Sequence, residues 1–242
     1  PEFESLRSER STLSLFPLKS LPFNFSIISD QYEVDDYIFE LPVSQNYGSY
    51  SSSLPSLESE YGYKAYDNTD IGYDEAPVYD WIEINQIGTN LNLTDDSIID
   101  DVQIGFDFNY FGETYNSMTV CSNGWASVEP CSLAHFWNFS IPNPMGPSGM
   151  LAPFMDDLDD DDGNEPFNIY AYNDGNGRFV VQWDDVSNGE DDQNCPDCIK
   201  ETFQMILHDP IIHPTATGDG DIIFQYKEIH DIDQNGNYST IG

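Results

Sequence analysis

Basic residues are scarce. The chain of 242 residues carries 7 Lys and Arg against 44 Asp and Glu, a formal net charge of −37. Such a surface repels a phosphate backbone or an anionic bilayer, so no nucleic acid is expected as a partner. Long apolar runs are missing too: none approaches the roughly 18 residues that a membrane-crossing helix needs, so no membrane insertion is expected. Histidine is sparse and scattered, at His135, His208, His213 and His230. There is no G-x-S-x-G elbow, no H-E-x-x-H helix and no glycine-rich phosphate loop, and an enzyme is not expected.

Cysteine is limited to Cys121, Cys131, Cys195 and Cys198, two pairs close in sequence. An even count with local spacing points to two disulfides in an oxidising compartment. A four-thiolate zinc site fits less well, because the spacer between Cys121 and Cys131 is unlike that of a zinc knuckle. A redox reading of "CPDC" lacks its strand and helix. The chain opens at Pro1 rather than Met, as a removed secretion signal or a cloning scar in "PEF" would leave it. We expect a secreted, extracellular or cell-surface protein.

What is present is a core-forming repertoire: 39% hydrophobic residues, of which the aromatics make up 14% of the chain. The charge is uneven. Residues 1–29 balance Arg7, Arg10 and Lys19 against Glu2, Glu4 and Glu9, so the whole excess lies beyond them. We read 1–29 as an N-terminal arm, 30–60 as a Ser-, Tyr- and acid-rich linker, and 61–242 as an acidic domain. Within that domain "VYDWIEI", "VQIGFDFNYF", "SMTVCSNGWASV", "GMLAPFM", "FNIYAY", "RFVVQW", "TFQMILH" and "DIIFQYKEI" read as short strands separated by turns. "NDGNG" and "PTATGDGD" are expected hairpin turns, where glycine supplies positive φ. The prediction is an all-β, Ig-like or jelly-roll-like β sandwich. "NGNYSTIG" reads as the opening of a further strand, so the domain is expected to continue past Gly242.

The stretches "FDFNYFGETYNSMTVCSNGWASV", "IPNP", "MLAPFMDDLDDD" and "FQYKEIHDIDQNGNYSTIG" carry a resemblance, centred on the Ser122-Asn123-Gly124-Trp125 turn and the Ala152-Pro153-Phe154 step. Over residues 61–242 the chain resembles a β-sandwich module of bacterial secreted and cell-surface proteins, including accessory domains of secreted peptidases, and more distantly the nidogen-type extracellular domain. The resemblance implies fold and location, and a non-catalytic role. Met155 stands where relatives commonly carry Trp.

The run "MDDLDDDDGNEP" sets Asp156, Asp157, Asp159, Asp160, Asp161 and Asp162 side by side, a concentration of charge that a hard cation relieves. Calcium, with its six to eight oxygen ligands, is the expected ion; the plain alternative is a solvated acidic loop. "DIDQNGNYS" supplies Asp231, Asp233 and Asn235 in the spacing of the first half of an EF-hand loop, although the twelfth position is Gly242 rather than an acid. Trp81, Trp125, Trp137 and Trp183 are read as core residues first and as a glycan-stacking surface second. Sequons stand at Asn24, Asn92, Asn138 and Asn237.

The arm contains "LPFNFSI", in which Leu21, Phe23, Phe25 and Ile27 alternate with other residues as on one face of a strand. An inserted strand gains affinity from main-chain hydrogen bonds and specificity from alternate side chains filling pockets. Burying the four apolar residues is worth about 1.5–3 kcal/mol each before ordering costs. Upstream, Leu13 and Leu15 of "STLSLFPL" lengthen the pattern. The expectation is a structural subunit that donates this strand to another copy and so builds a helical homopolymer, a pilus-like fibril. The alternatives are an arm folded back on its own domain, a calcium-stabilised adhesin or glycan-binding module, or an accessory domain of a secreted peptidase.

Overall fold

The computed structural model describes residues 11–17, 55–56, 58–59, 61–136, 138–159, 167–188, 200–230 and 239–242, the first stretch as backbone. The described residues contain no helix. Their strands are β1 (Ser11–Pro17), β2 (Tyr63–Asp67), β3 (Thr89–Asn90), β4 (Ile98–Tyr110), β5 (Glu113–Cys121) and β6 (Trp125–Ser127). There follow β7 (Met150–Leu151), β8 (Leu158–Asp159), β9 (Ile169–Asn173), β10 (Arg178–Asn188), β11 (Lys200–His208) and β12 (Ile222–Glu228). The larger sheet runs β2-β1-β12-β11-β10-β9-β3, with β8 pairing β10 from off that path, and the smaller runs β4-β5-β6-β7. The expected all-β sandwich is present.

Period-two patterning explains the core. Phe179, Val181 and Trp183 of β10, Phe203, Met205 and Leu207 of β11, and Ile222 and Phe224 of β12 face the smaller sheet. Ile104, Phe108, Met118, Val120, Ala126 and Leu151 meet them from the other side. Trp183 stacks on Phe203 at 5.1 Å, and its indole N–H donates to the Cys121 carbonyl at 3.0 Å, so this large core side chain leaves no polar atom unpaired. Both expected hairpins form: the turn of "NDGNG" uses Gly175 and Gly177 at φ 70° and 94°, and "PTATGDGD" lies between the paired strands β11 and β12.

One expected strand is something else. "VYDWIEI" is extended but pairs with no strand among the described residues; it crosses the outer face of the larger sheet as a strap, bonded to side chains. Gln182, Gln204 and Gln225 stand in register on β10, β11 and β12, all buried. Gln225 accepts from Asp80 N at 2.7 Å and donates to Asp80 O at 3.0 Å. Gln204 does the same for Ile82, at 3.4 and 3.2 Å, and Gln182 accepts from Ile84 N at 3.2 Å. Every second residue of the strap is thus held by one glutamine, because a primary amide offers the same donor and acceptor as a backbone unit. Ile84 closes a small apolar cluster with Val180 and Ile206 beneath it.

The arm brings a second departure. The segment "STLSLFP" is β1, and it is used by its own chain as an interior strand between β12 and β2. Leu21, Phe23, Phe25 and Ile27 lie outside the described residues.

Candidate assembly site

β1 occupies a slot with two walls. Along β12, Leu13 stands opposite Phe224 and Leu15 opposite Ile222, both core residues. Along β2, Leu15 stands opposite Ala65 and Pro17 opposite Tyr63. The β2 wall has an anchor to the body of the domain besides β1. Tyr63 is buried and its hydroxyl donates to the Gly220 carbonyl at 3.2 Å, while its ring packs 4.8 Å from Phe111 and 5.3 Å from Tyr110. Burial, with Asp219 nearby, drives its pKa far above the ordinary phenol value, so it stays a neutral donor. Residues 18–62 separate β1 from β2, so the strand between the walls comes from a sequence-remote arm.

The Ser122-Asn123-Gly124 turn at the end of β5 organises a buried polar knot. Gly124 has φ 73°, and a Cβ there would fall 1.7 Å from the Phe154 carbonyl oxygen, so only glycine fits. Asn123 accepts from Leu158 N at 3.1 Å through its side-chain oxygen and donates to Asp96 at 2.9 Å. Asp156, nearly buried, accepts from the amides of Asn138 and Asn188, each at 3.2 Å, and from Asp157 N at 3.0 Å. This carboxylate is engaged by amides on both oxygens. Of the residues expected to hold calcium, Asp156, Asp157 and Asp159 are described, whereas Asp160, Asp161, Asp162, Asp231, Asp233 and Asn235 lie outside the described residues. Among the described residues no group of three or more His, Cys, Asp or Glu is placed to hold a metal ion.

The expected Cys121–Cys131 disulfide is not formed: both are free thiols, Cys121 fully buried against Trp125 and Met155, Cys131 at the margin of the same cluster. Burial pushes the Cys121 thiol up to about 12. Cys131 instead donates to the Leu133 carbonyl at 3.3 Å. Cys195 and Cys198 lie outside the described residues. The sequon at Asn92 is exposed, but that at Asn138 has its amide on Asp156; Asn24, Asn237 and Trp137 lie outside the described residues.

Two features escaped the reading of the sequence. One is the glutamine row, whose signal was an apolar-flanked Gln in three successive strands. The other is a histidine pair: His208 Nδ1 lies 2.7 Å from Asp221, and its ring stacks on His213 at 4.3 Å. Nothing in the local sequence announced that pair, since β11 and the following loop bring it together.

The family model described as NIDO related matches residues 75–242. No curated protein and no solved structure matches the chain. The match begins after β1 and β2, so the arm strand and its outer wall lie outside the matched residues. With two sheets of the expected kind behind a match over most of its length, the chain belongs to the NIDO-related family, a module of extracellular type.

Proposed function

We propose that this chain is a structural subunit of an extracellular filament, secreted or held at the cell surface, whose copies are joined by exchange of the N-terminal arm. The observation that carries the reading is β1: an interior strand supplied by a terminal arm, outside the family match, with walls on both sides. A strand in that slot makes the same backbone bonds whether it comes from its own chain or from a neighbour. Without it, β12 is an unpaired edge and a template for association.

Residues 18–62 are long enough to serve either route, since an extended chain gains ~3.3 Å per residue. The neutral arm, with Arg7, Arg10 and Lys19, is attracted to a body that carries the entire excess of −37. Leu21, Phe23, Phe25 and Ile27 extend the donated segment. Because the contact is head-to-tail, repetition gives an open helical polymer unless the rotation closes a ring. The role is structural rather than catalytic. Calcium on the acidic run from Asp157 onward belongs to the same proposal, and chelation that leaves thermal unfolding unchanged would remove it.

Electron microscopy of the purified protein with and without residues 1–29 tests the assembly. Filaments from the full chain, none from the truncated one, and capping of growing filaments by a peptide of residues 11–27 are the expected results. Monomers in both samples, or filaments in both, would overturn the reading.

A further inference from the structure

Beside the turn joining β4 to β5 lies an open cleft of about 570 Å³, within the size range of small-ligand sites. One wall is aromatic, built from Tyr110, Phe111 and Tyr115, and the other is the proline-rich loop 141–149. Glu113 and Glu129 supply the charge, and no Lys, Arg or His is among the described lining residues. Tyr115 donates its hydroxyl proton to Glu129 at 2.9 Å, which holds that carboxylate at the edge of the ring.

Phe111 breaks a local rule. It takes φ 49° ahead of Gly112 at φ 80°, a pair of left-handed positions that Asn-Gly fills without strain and a bulky side chain does not. Contacts with Tyr61, Tyr63 and Tyr110, at 5.1, 4.8 and 4.6 Å between ring centroids, offset part of that strain. Yet the residue remains 43% exposed and lines the cleft. Backbone strain that presents a side chain to an open cleft is characteristic of ligand sites.

The chemistry narrows the ligand. Two carboxylates on a chain of net charge −37 repel an anion. Aromatic faces carry negative potential and attract a weakly hydrated cation more than a neutral solute. We infer that this cleft binds an organic cation, an ammonium or guanidinium group on an apolar stem, with the head paired to Glu113 or Glu129 and the stem laid on Phe111 and its neighbouring tyrosines. The cleft shares Tyr110 and Phe111 with the packing that anchors the β2 wall of the β1 slot, but its inference does not depend on the filament reading.

Calorimetric titration of the full chain tests it, with choline as a free small cation, Nα-acetyl-lysine methylamide as a peptide side chain, and cellobiose as a neutral control. Saturable binding of a cation, weakened by salt, is expected, and preference between the two cations separates a free ligand from a basic peptide. Phe111→Asn suits the turn and is expected to keep or raise the melting temperature while weakening the cation about three- to thirty-fold. Glu129→Gln is expected to weaken it as well and to flatten the salt dependence. Cellobiose binding in preference to both cations, no saturation by either, or equal cation affinity in the wild type and Phe111→Asn would overturn the assignment.

Discussion

Replacing Gln204 with Leu tests the strap directly, because the two side chains are close in volume and the substitution removes hydrogen bonds without opening a cavity. Gln204 is fully buried, and it holds both the N–H and the carbonyl of Ile82, besides accepting from Gln225 at 3.4 Å. Each buried backbone group left without a partner costs about 1–3 kcal/mol. Ile82 is only half-buried, so water recovers part of that cost, and the two strap groups together give an expected loss of about 2–4 kcal/mol. A urea midpoint that falls at constant slope would report it globally. Hydrogen exchange at the Ile82 amide would report it locally, with protection falling about thirty- to a thousandfold if the strap opens. A stability change below about 0.5 kcal/mol, with Ile82 protection intact, would refute the claim that the glutamine row holds the strap.

Gly124→Ala is expected to cost ~3 kcal/mol or more, or to abolish folding, since Cβ has no room beside Phe154 at a positive φ; a near-wild-type melting curve would contradict the turn. Partial burial, together with the His208 charge, lowers the His213 pKa from its ordinary 6.5, so the unfolded chain takes up a proton that the folded chain resists. Stability therefore decreases as pH falls through about 6.5, and His213→Gln should remove that step from a pH series of unfolding midpoints. For Glu83, partial burial would raise the carboxyl, but hydrogen bonds from Gln182, Lys227 and Trp81 outweigh it and pull the group down to about 2. Its contribution is present above the ordinary 4.5 and lost as pH falls toward 2, so the strap amides should lose exchange protection in that window and keep it near pH 6. Alkylation mapped by mass spectrometry without reductant should label Cys131 well before Cys121, whose thiol is buried and raised to about 12. Labelling of neither would mean that the two are joined.

The sandwich was legible because inward apolar residues recur at every second position in "RFVVQW", "TFQMILH" and "DIIFQYKEI", and because the glycine-rich turns between strands leave few other topologies. "VYDWIEI" shows the limit of that signal. An extended segment reads as alternating whether its backbone partners are a neighbouring strand or a row of glutamines, and only the third dimension separates the two. The glutamines themselves were visible as polar residues between apolar ones, but that they align in register across β10, β11 and β12 depends on pairings that no local window contains. Cysteine spacing was a fair guide to neighbourhood and a poor one to bonding, since Cys121 and Cys131 share a cluster as thiols. In the arm, the alternation around Leu13 and Leu15 did mark a strand, although in this structure its partners are within the same chain.

The origin of that strand in the assembled state is the point on which the filament rests, and a cross-link across its register decides it. Ser14 stands opposite Ile223 in the pairing of β1 with β12, so Ser14→Cys with Ile223→Cys, in a background with Cys131, Cys195 and Cys198 changed to Ser, reports which chain fills the slot. Oxidised filaments run on a denaturing, non-reducing gel are predicted to give a ladder of covalent multimers, one arm linked to the next body. A single band at the monomer position, carrying an internal cross-link, would show that each chain keeps its own arm and would contradict the exchange.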